Sequence, residues 1–319
     1  MGNITKRQLF KIFQNIFVLL AISGACTRAD APITAIAIAP DGTQVVLGSQ
    51  LGIEIRSLPE LAVISKLSTE LEHVHDLQFS PDGQYLLAAG GSPAENGRVE
   101  QWRWLTGTRV REVNGHEDVV YRIVWSPDGT QWATCSGDGR CLVFSAATGE
   151  RLAQYEGHSR AVLAVRYLDN RTIVSVGVDQ TVRMWNSADG SHQRTLDNHV
   201  GTVNDVAIRP ITADQSVEVI ATISEDRTVR LWQPRIGRLM RFAKLVSVPR
   251  SLAWSRDAAK LYVGCNDGRM RIVNADSMEI EIEQAAQVGR IHELVVGSTG
   301  EYILTAGEAA CRVVSLRAK

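Results

Sequence analysis

Gly177-Val178-Asp179-Gln180-Thr181-Val182-Arg183-Met184-Trp185 and Ser224-Glu225-Asp226-Arg227-Thr228-Val229-Arg230-Leu231-Trp232 agree in residue character over their last seven positions. Such agreement points to an internal repeat, and a repeat decides a fold before any strand or helix is assigned. Laid in register with Trp185, the 319-residue chain gives the column Arg56, Trp102, Phe144, Trp185, Trp232, Val273 and Val314, with steps of 41 to 47 residues by subtraction. Two of the long steps carry visible insertions, Ser92-Pro93-Ala94-Glu95-Asn96-Gly97 and Ile211-Thr212-Ala213-Asp214-Gln215-Ser216, which read as enlarged loops.

A second column keeps step with the first. Ala39-Pro40-Asp41-Gly42 returns as Ser80-Pro81-Asp82-Gly83 and Ser126-Pro127-Asp128-Gly129, and in weaker form at Leu168-Asp169-Asn170, Arg209-Pro210, Ser255-Arg256-Asp257 and Gly297-Ser298-Thr299-Gly300. Each of these turns lies between two apolar runs, so each joins the strands of a hairpin. Proline presets φ and glycine accepts the positive φ that other residues resist. Seven such units, none able to bury both of its faces alone, predict an all-β chain closed into a seven-bladed β-propeller of about 41–47 residues per blade. No internal domain boundary is visible between residues 32 and 319.

A third column, Gly115-His116, Gly157-His158 and Asn198-His199, stands nine residues before Trp125, Tyr167 and Ile208, just ahead of a first strand in each case. Together the columns resemble the WD-repeat family over about residues 33–315. In that family a His, a Ser or Thr, an Asp and a Trp hydrogen-bond in series within a blade. The matching residues here are His158, Ser175, Asp179 and Trp185, and again His199, Thr222, Asp226 and Trp232. Such a chain satisfies a buried carboxylate and fixes its turn, so these residues are expected to be structural. The third blade keeps His116, Thr134 and Asp138 but has Phe144 in the tryptophan place, and in blades one, two, six and seven packing is expected to replace the polar chain. Blade seven shows three strands, at 291–296, 302–306 and 311–315. The resemblance implies an outer strand supplied from about residues 23–27, of which cleavage of a leader would leave a stub.

The 34 basic and 35 acidic side chains leave a net charge of −1, which disfavours nucleic acid as a partner. The five cysteines have no C-x-x-C spacing, which argues against a zinc site or a disulfide framework. Cys135, Cys141, Cys265 and Cys311 are expected as small buried side chains, with a cross-strand bridge between Cys135 and Cys141 left open. Lys6, Arg7 and Lys11 precede the apolar run Ile16–Ile22 and the small residues Ser23-Gly24-Ala25, the order of a secretory signal peptide over residues 1–25 with an end between 25 and 31. Export to the periplasm or outside the cell is therefore expected, with a cytoplasmic home as the rival. The apolar run is too short for a membrane span. Ser23, where a lipoprotein box wants an aliphatic residue, disfavours a lipid anchor at Cys26.

Phosphate-binding, nucleophile-elbow and zinc-protease motifs are missing from the sequence, so neither catalytic residues nor a metal or cofactor are expected. His73-Val74-His75-Asp76 would put both imidazoles on one side of a strand with the carboxylate on the other. Asn170-Arg171-Thr172 fits a glycosylation acceptor only in the abstract, and Trp104 reads either as an interface anchor or as rim packing. Surface remains, and the repeat says where to look. The position matching Tyr121 in each innermost strand holds Thr34, His75, Tyr121, Leu163, Asn204, Arg250 and His292, a ring at the mouth of the central channel. The resemblance adds the residues before each turn Asp: Glu95, Val178, Glu225 and Asn266. The expected function is a non-catalytic protein–protein interaction scaffold that binds a protein or peptide at this top face through His75, Tyr121, Asn204, Arg250, His292, Glu225 and Asn266. The alternative is a small-ligand-binding or hydrolytic propeller enzyme using the channel. It is disfavoured because the ring holds no carboxylate.

Overall fold

A computed structural model describes residues 31–212, 217–308 and 310–316. The leader over residues 1–25, Cys26 and the strand expected at 23–27 lie outside the described residues, as does most of the insertion at 211–216. The described residues form six four-stranded antiparallel sheets and one three-stranded sheet, each built from strands consecutive in the chain. The first strand of each sheet touches the first strand of the next, and that of the seventh, Ile291–Val296, touches that of the first, Ile33–Ile38. The seven sheets thus close around an axis as a seven-bladed propeller. Among the described residues, no helix is long and apolar enough to cross a membrane.

Burial explains why the columns were legible. A second strand such as Thr172–Gly177 is buried at every position, because neighbouring blades cover both of its faces. An outermost strand such as Val63–Leu67 is mostly exposed and therefore free to vary. The apolar clusters belong to pairs of blades. Val174, Val176 and Met184 of blade four pack with Val206, Ile220 and Trp232 of blade five. At the turn of blade two, Gly83 sits at φ +70, and a Cβ there would come 2.8 Å from Pro40 of blade one.

Every first strand carries a register shift near its start, and the unpaired residue is in turn Thr34, His75, Tyr121, Leu163, Asn204, Arg250 and His292. A bulge re-aims a side chain and resets the alternation beyond it. The next residue in several blades bolts that blade to its neighbour. Asp76 Oδ2 accepts the Ile123 N–H at 2.8 Å, Asp205 Oδ2 the Leu252 N–H at 3.1 Å, and Ser251 Oγ the Leu294 N–H at 3.1 Å. Glu293 Oε2 accepts the Ile36 N–H at 2.9 Å, which joins the last blade to the first. The Arg122 guanidinium donates to Glu293 and, at 3.3 Å, to Asp76.

Several local expectations take a definite form. The insertion at 92–97 lengthens a hairpin, Tyr85–Ser92 pairing with Asn96–Arg103, instead of adding a loop. Trp104 is half-buried and meets Phe79 edge-on at 4.8 Å, which is rim packing. Cys135 and Cys141 face each other across a strand pair as buried, unbridged thiols.

Candidate functional site

The polar chains run from the blade interior to the top face. His158 Nδ1 lies 3.0 Å from Asp179 Oδ2, its Nε2 lies 2.8 Å from Ser175 Oγ, and Trp185 Nε1 donates to that hydroxyl at 3.1 Å. His199, Asp226, Thr222 and Trp232 repeat this at 2.8, 2.8 and 2.9 Å. Burial pushes the Asp179 carboxyl up, but the bonds from His158 and Thr181 outweigh it and hold the group far below the ordinary range. In blade three His116 bridges Asp138 at 2.9 Å and Thr134 at 2.8 Å. Phe144 stacks there on Trp132 at 4.2 Å, so the large ring has moved to the neighbouring strand, where blades four and five have Ile173 and Ile220.

Blade two departs from the expected packing. Its buried Glu100 accepts from Thr69 Oγ1 at 2.7 Å, the Glu70 N–H at 3.0 Å, Arg109 at 2.9 Å and Trp102 Nε1 at 3.2 Å, a different polar cluster around the retained tryptophan. Blade six has apolar Leu245, Val263 and Val273 in the His, Ser/Thr and Trp places, and Arg271 ties down Asp267 at 2.7 Å.

These turns surround the mouth, where the bulge residues form two lobes. Across blades two and three, His75 meets Tyr121 at 5.5 Å and His73 at 6.2 Å between ring centroids. Burial, with His73 and Arg122 nearby, pushes His75 down to about 4, so the His75–Tyr121 pair is aromatic and uncharged at neutral pH. Across blades five to seven, Arg250 donates to Asn266 Oδ1 at 2.8 Å and Asn204 Oδ1 at 3.4 Å and pairs with Glu225 at 3.3 Å. Asn204 donates in turn to the Pro249 carbonyl at 2.8 Å. His292 is half-buried beside this cluster, and burial lowers its pKa. The structure therefore brings together Asn204, Glu225, Arg250 and Asn266 in one group and His75 with Tyr121 in another. Thr34 and Leu163 stand between the lobes, half-buried.

Sequence reading missed the layer beneath. Asp76, Arg122, Asp205 and Glu293 follow the ring by one residue and line the blade-to-blade seams. The His73–Asp76 alternation is interrupted by the bulge at His75, and the Asp76 carboxylate is taken by the backbone N–H groups of Leu77 and Ile123. Among the described residues, no His, Cys, Asp and Glu side chains cluster as a metal site.

A closed ring of antiparallel sheets, its turns pinned by His–Ser/Thr–Asp–Trp chains, defines a repeat propeller of the WD type. The family model described as "WD domain, G-beta repeat" matches residues 64–103, 107–145, 149–186 and 190–233, half of the chain. The chain belongs to the WD-repeat family. It is 26% identical over 226 residues to periodic tryptophan protein 2 of Arabidopsis thaliana, covering 70% of this chain and 24% of that protein. It is 34% identical over 103 residues to protein Notchless of Drosophila melanogaster, covering 31% and 21%. A guanine nucleotide-binding protein subunit beta of Oryza sativa subsp. japonica is 25% identical over 300 residues, covering 83% and 75%. The match thus spans about a quarter or less of the first two relatives.

Proposed function

We propose that this propeller is a non-catalytic scaffold whose top face captures a partner protein or peptide. The bulge in all seven inner strands is the observation that carries the reading, because it spends strand pairing to present one side chain per blade at the mouth. Arg250 is braced by Asn204, Glu225 and Asn266, so it loses little freedom on binding a carbonyl or carboxylate of the partner. The uncharged His75–Tyr121 pair supplies an aromatic contact opposite. Relatives whose names include "subunit", the rice guanine nucleotide-binding protein subunit beta and THO complex subunit 3 of Arabidopsis thaliana, fit a part that works in assemblies. The carboxylates beneath the ring weigh against a channel enzyme, since they are engaged by backbone N–H groups and by Arg122.

Of the two locations, the cytoplasmic one is proposed. Cys135 and Cys141 lie directly opposite each other without a bridge, which suits a reducing compartment, and the relatives lend export no support. The test of the scaffold reading is affinity capture from native extract with the double variant Arg250→Ala/Tyr121→Ala. Partner recovery should fall at least about tenfold with the melting temperature unchanged. Undiminished capture would reject the top face.

A further inference from the structure

Opposite the residue two before the tryptophan place, the outermost strands of blades one to four and six present Lys66, Glu112, Gln154, Thr195 and Glu283, all polar. Blade five breaks the pattern. It presents Phe242 there, paired with Arg230 and 59% exposed. A second column changes character at the same blade. The place after the His holds buried Leu71 in blade two and the polar Glu117 and Ser159 in blades three and four. Blades five, six and seven have Val200, Val246 and Val288, which are 77%, 73% and 73% exposed.

Local bonds gather three of these side chains at the outer top corner of blade five. The Asp226 carboxylate accepts the Val200 N–H at 3.3 Å and pairs with Arg230 at 3.3 Å, and the Arg230 guanidinium lies 6.0 Å from the centre of the Phe242 ring. On the other side, the Leu245 N–H donates to the Arg227 carbonyl at 2.7 Å, which brings Val246 to the same turn. Two cations stand in this corner, Arg227 in the turn and Lys244 at the end of the strand that carries Phe242. Both are exposed, and neither makes an ion pair among the described residues. Single exposed apolar residues need no explanation, but a group of them beside uncompensated charge marks an interaction surface.

We propose that this corner of blade five is a docking surface, separate from the mouth, for a segment of a partner protein that carries both apolar and acidic side chains. Phe242, Val200 and Val246 cover the apolar side chains, and Arg227 and Lys244 meet the carboxylates. A nucleic acid would answer the two cations and leave the three apolar side chains in water. With a net charge of −1, the chain also has no wider basic field to hold one.

Fluorescence anisotropy of the intact protein with a labelled peptide that alternates leucine and aspartate gives the test. The peptide should bind saturably, and more weakly as salt rises. Phe242→Thr, the blade-four choice, should weaken binding at least about tenfold with the melting temperature unchanged. Val200→Ser, also the blade-four choice, gives a second reading of the same surface. Blade four has Gln180 at φ +68 where Arg227 has +63, so Arg227→Gln fits the turn, and with Lys244→Gln it should remove most of the salt dependence. The mouth variant Arg250→Ala/Tyr121→Ala should leave this binding intact, which separates a failure here from a failure of the mouth reading. Absence of saturable binding, binding that survives both Phe242→Thr and Val200→Ser, or binding that the mouth variant abolishes overturns the surface. Equal binding of a peptide with lysine in place of aspartate overturns the acidic partner. An oligothymidylate that competes fully, and loses affinity equally in Phe242→Thr, overturns a protein as the occupant.

Discussion

His158 joins Asp179 and Ser175, one through each ring nitrogen, and so links the top-face turn of blade four to its interior strand. Its replacement by alanine takes one partner each from the Asp179 carboxylate and the Ser175 hydroxyl in a buried setting, leaving Thr181 on the first and Trp185 on the second. His158→Ala should cost about 2–3 kcal/mol in urea unfolding, since bonds to a charged group are the strong ones. The pH dependence has a definite sign. Asp179 is held below its unfolded value, so its contribution is complete above about pH 4 and is lost as pH falls further. The variant should therefore lose less stability on acidification than the parent. These residues were legible because each sits at a fixed offset in a repeated column. Glu100 was not, since Thr69, Glu70 and Arg109 come from places where no column exists.

Strands show the same contrast at a larger scale. Inner strands repeat because neighbouring blades bury both faces, whereas the outer strands, with one side in water, left no periodic trace. The ring of seven was placed by register alone, but the seam role of the carboxylates that follow it was not anticipated, because simple alternation does not foresee a bulge between Val74 and Asp76 or between Ile291 and Glu293. Blade three offers a direct test of packing. Phe144→Trp alone forces a second indole against Trp132 and should cost about 1–3 kcal/mol. Adding Trp132→Ile recreates the Ile173/Trp185 arrangement and gives the new indole N–H a hydroxyl partner in Thr134. The double variant should recover most of that loss, a coupling that a double-mutant cycle in urea would measure.

For the molecule as a whole, closure is what turns seven marginal sheets into one frame rigid enough to hold seven mouth residues in a ring. The seam between the last blade and the first joins segments more than 250 residues apart, and at its centre Glu293 accepts the Ile36 N–H and binds Arg122. Burial pushes the Glu293 carboxyl up to about 7 against the pull of Arg122, a cost that accompanies its bond to the Ile36 N–H. Amide exchange at Ile36 in the native protein and in Glu293→Ala probes this seam most directly. The closed ring predicts that the Ile36 amide exchanges among the slowest in the native protein, and that the substitution, costing about 3 kcal/mol, speeds it roughly a hundredfold. Native exchange at Ile36 as fast as in the exposed outer strand Val63–Leu67 would contradict closure.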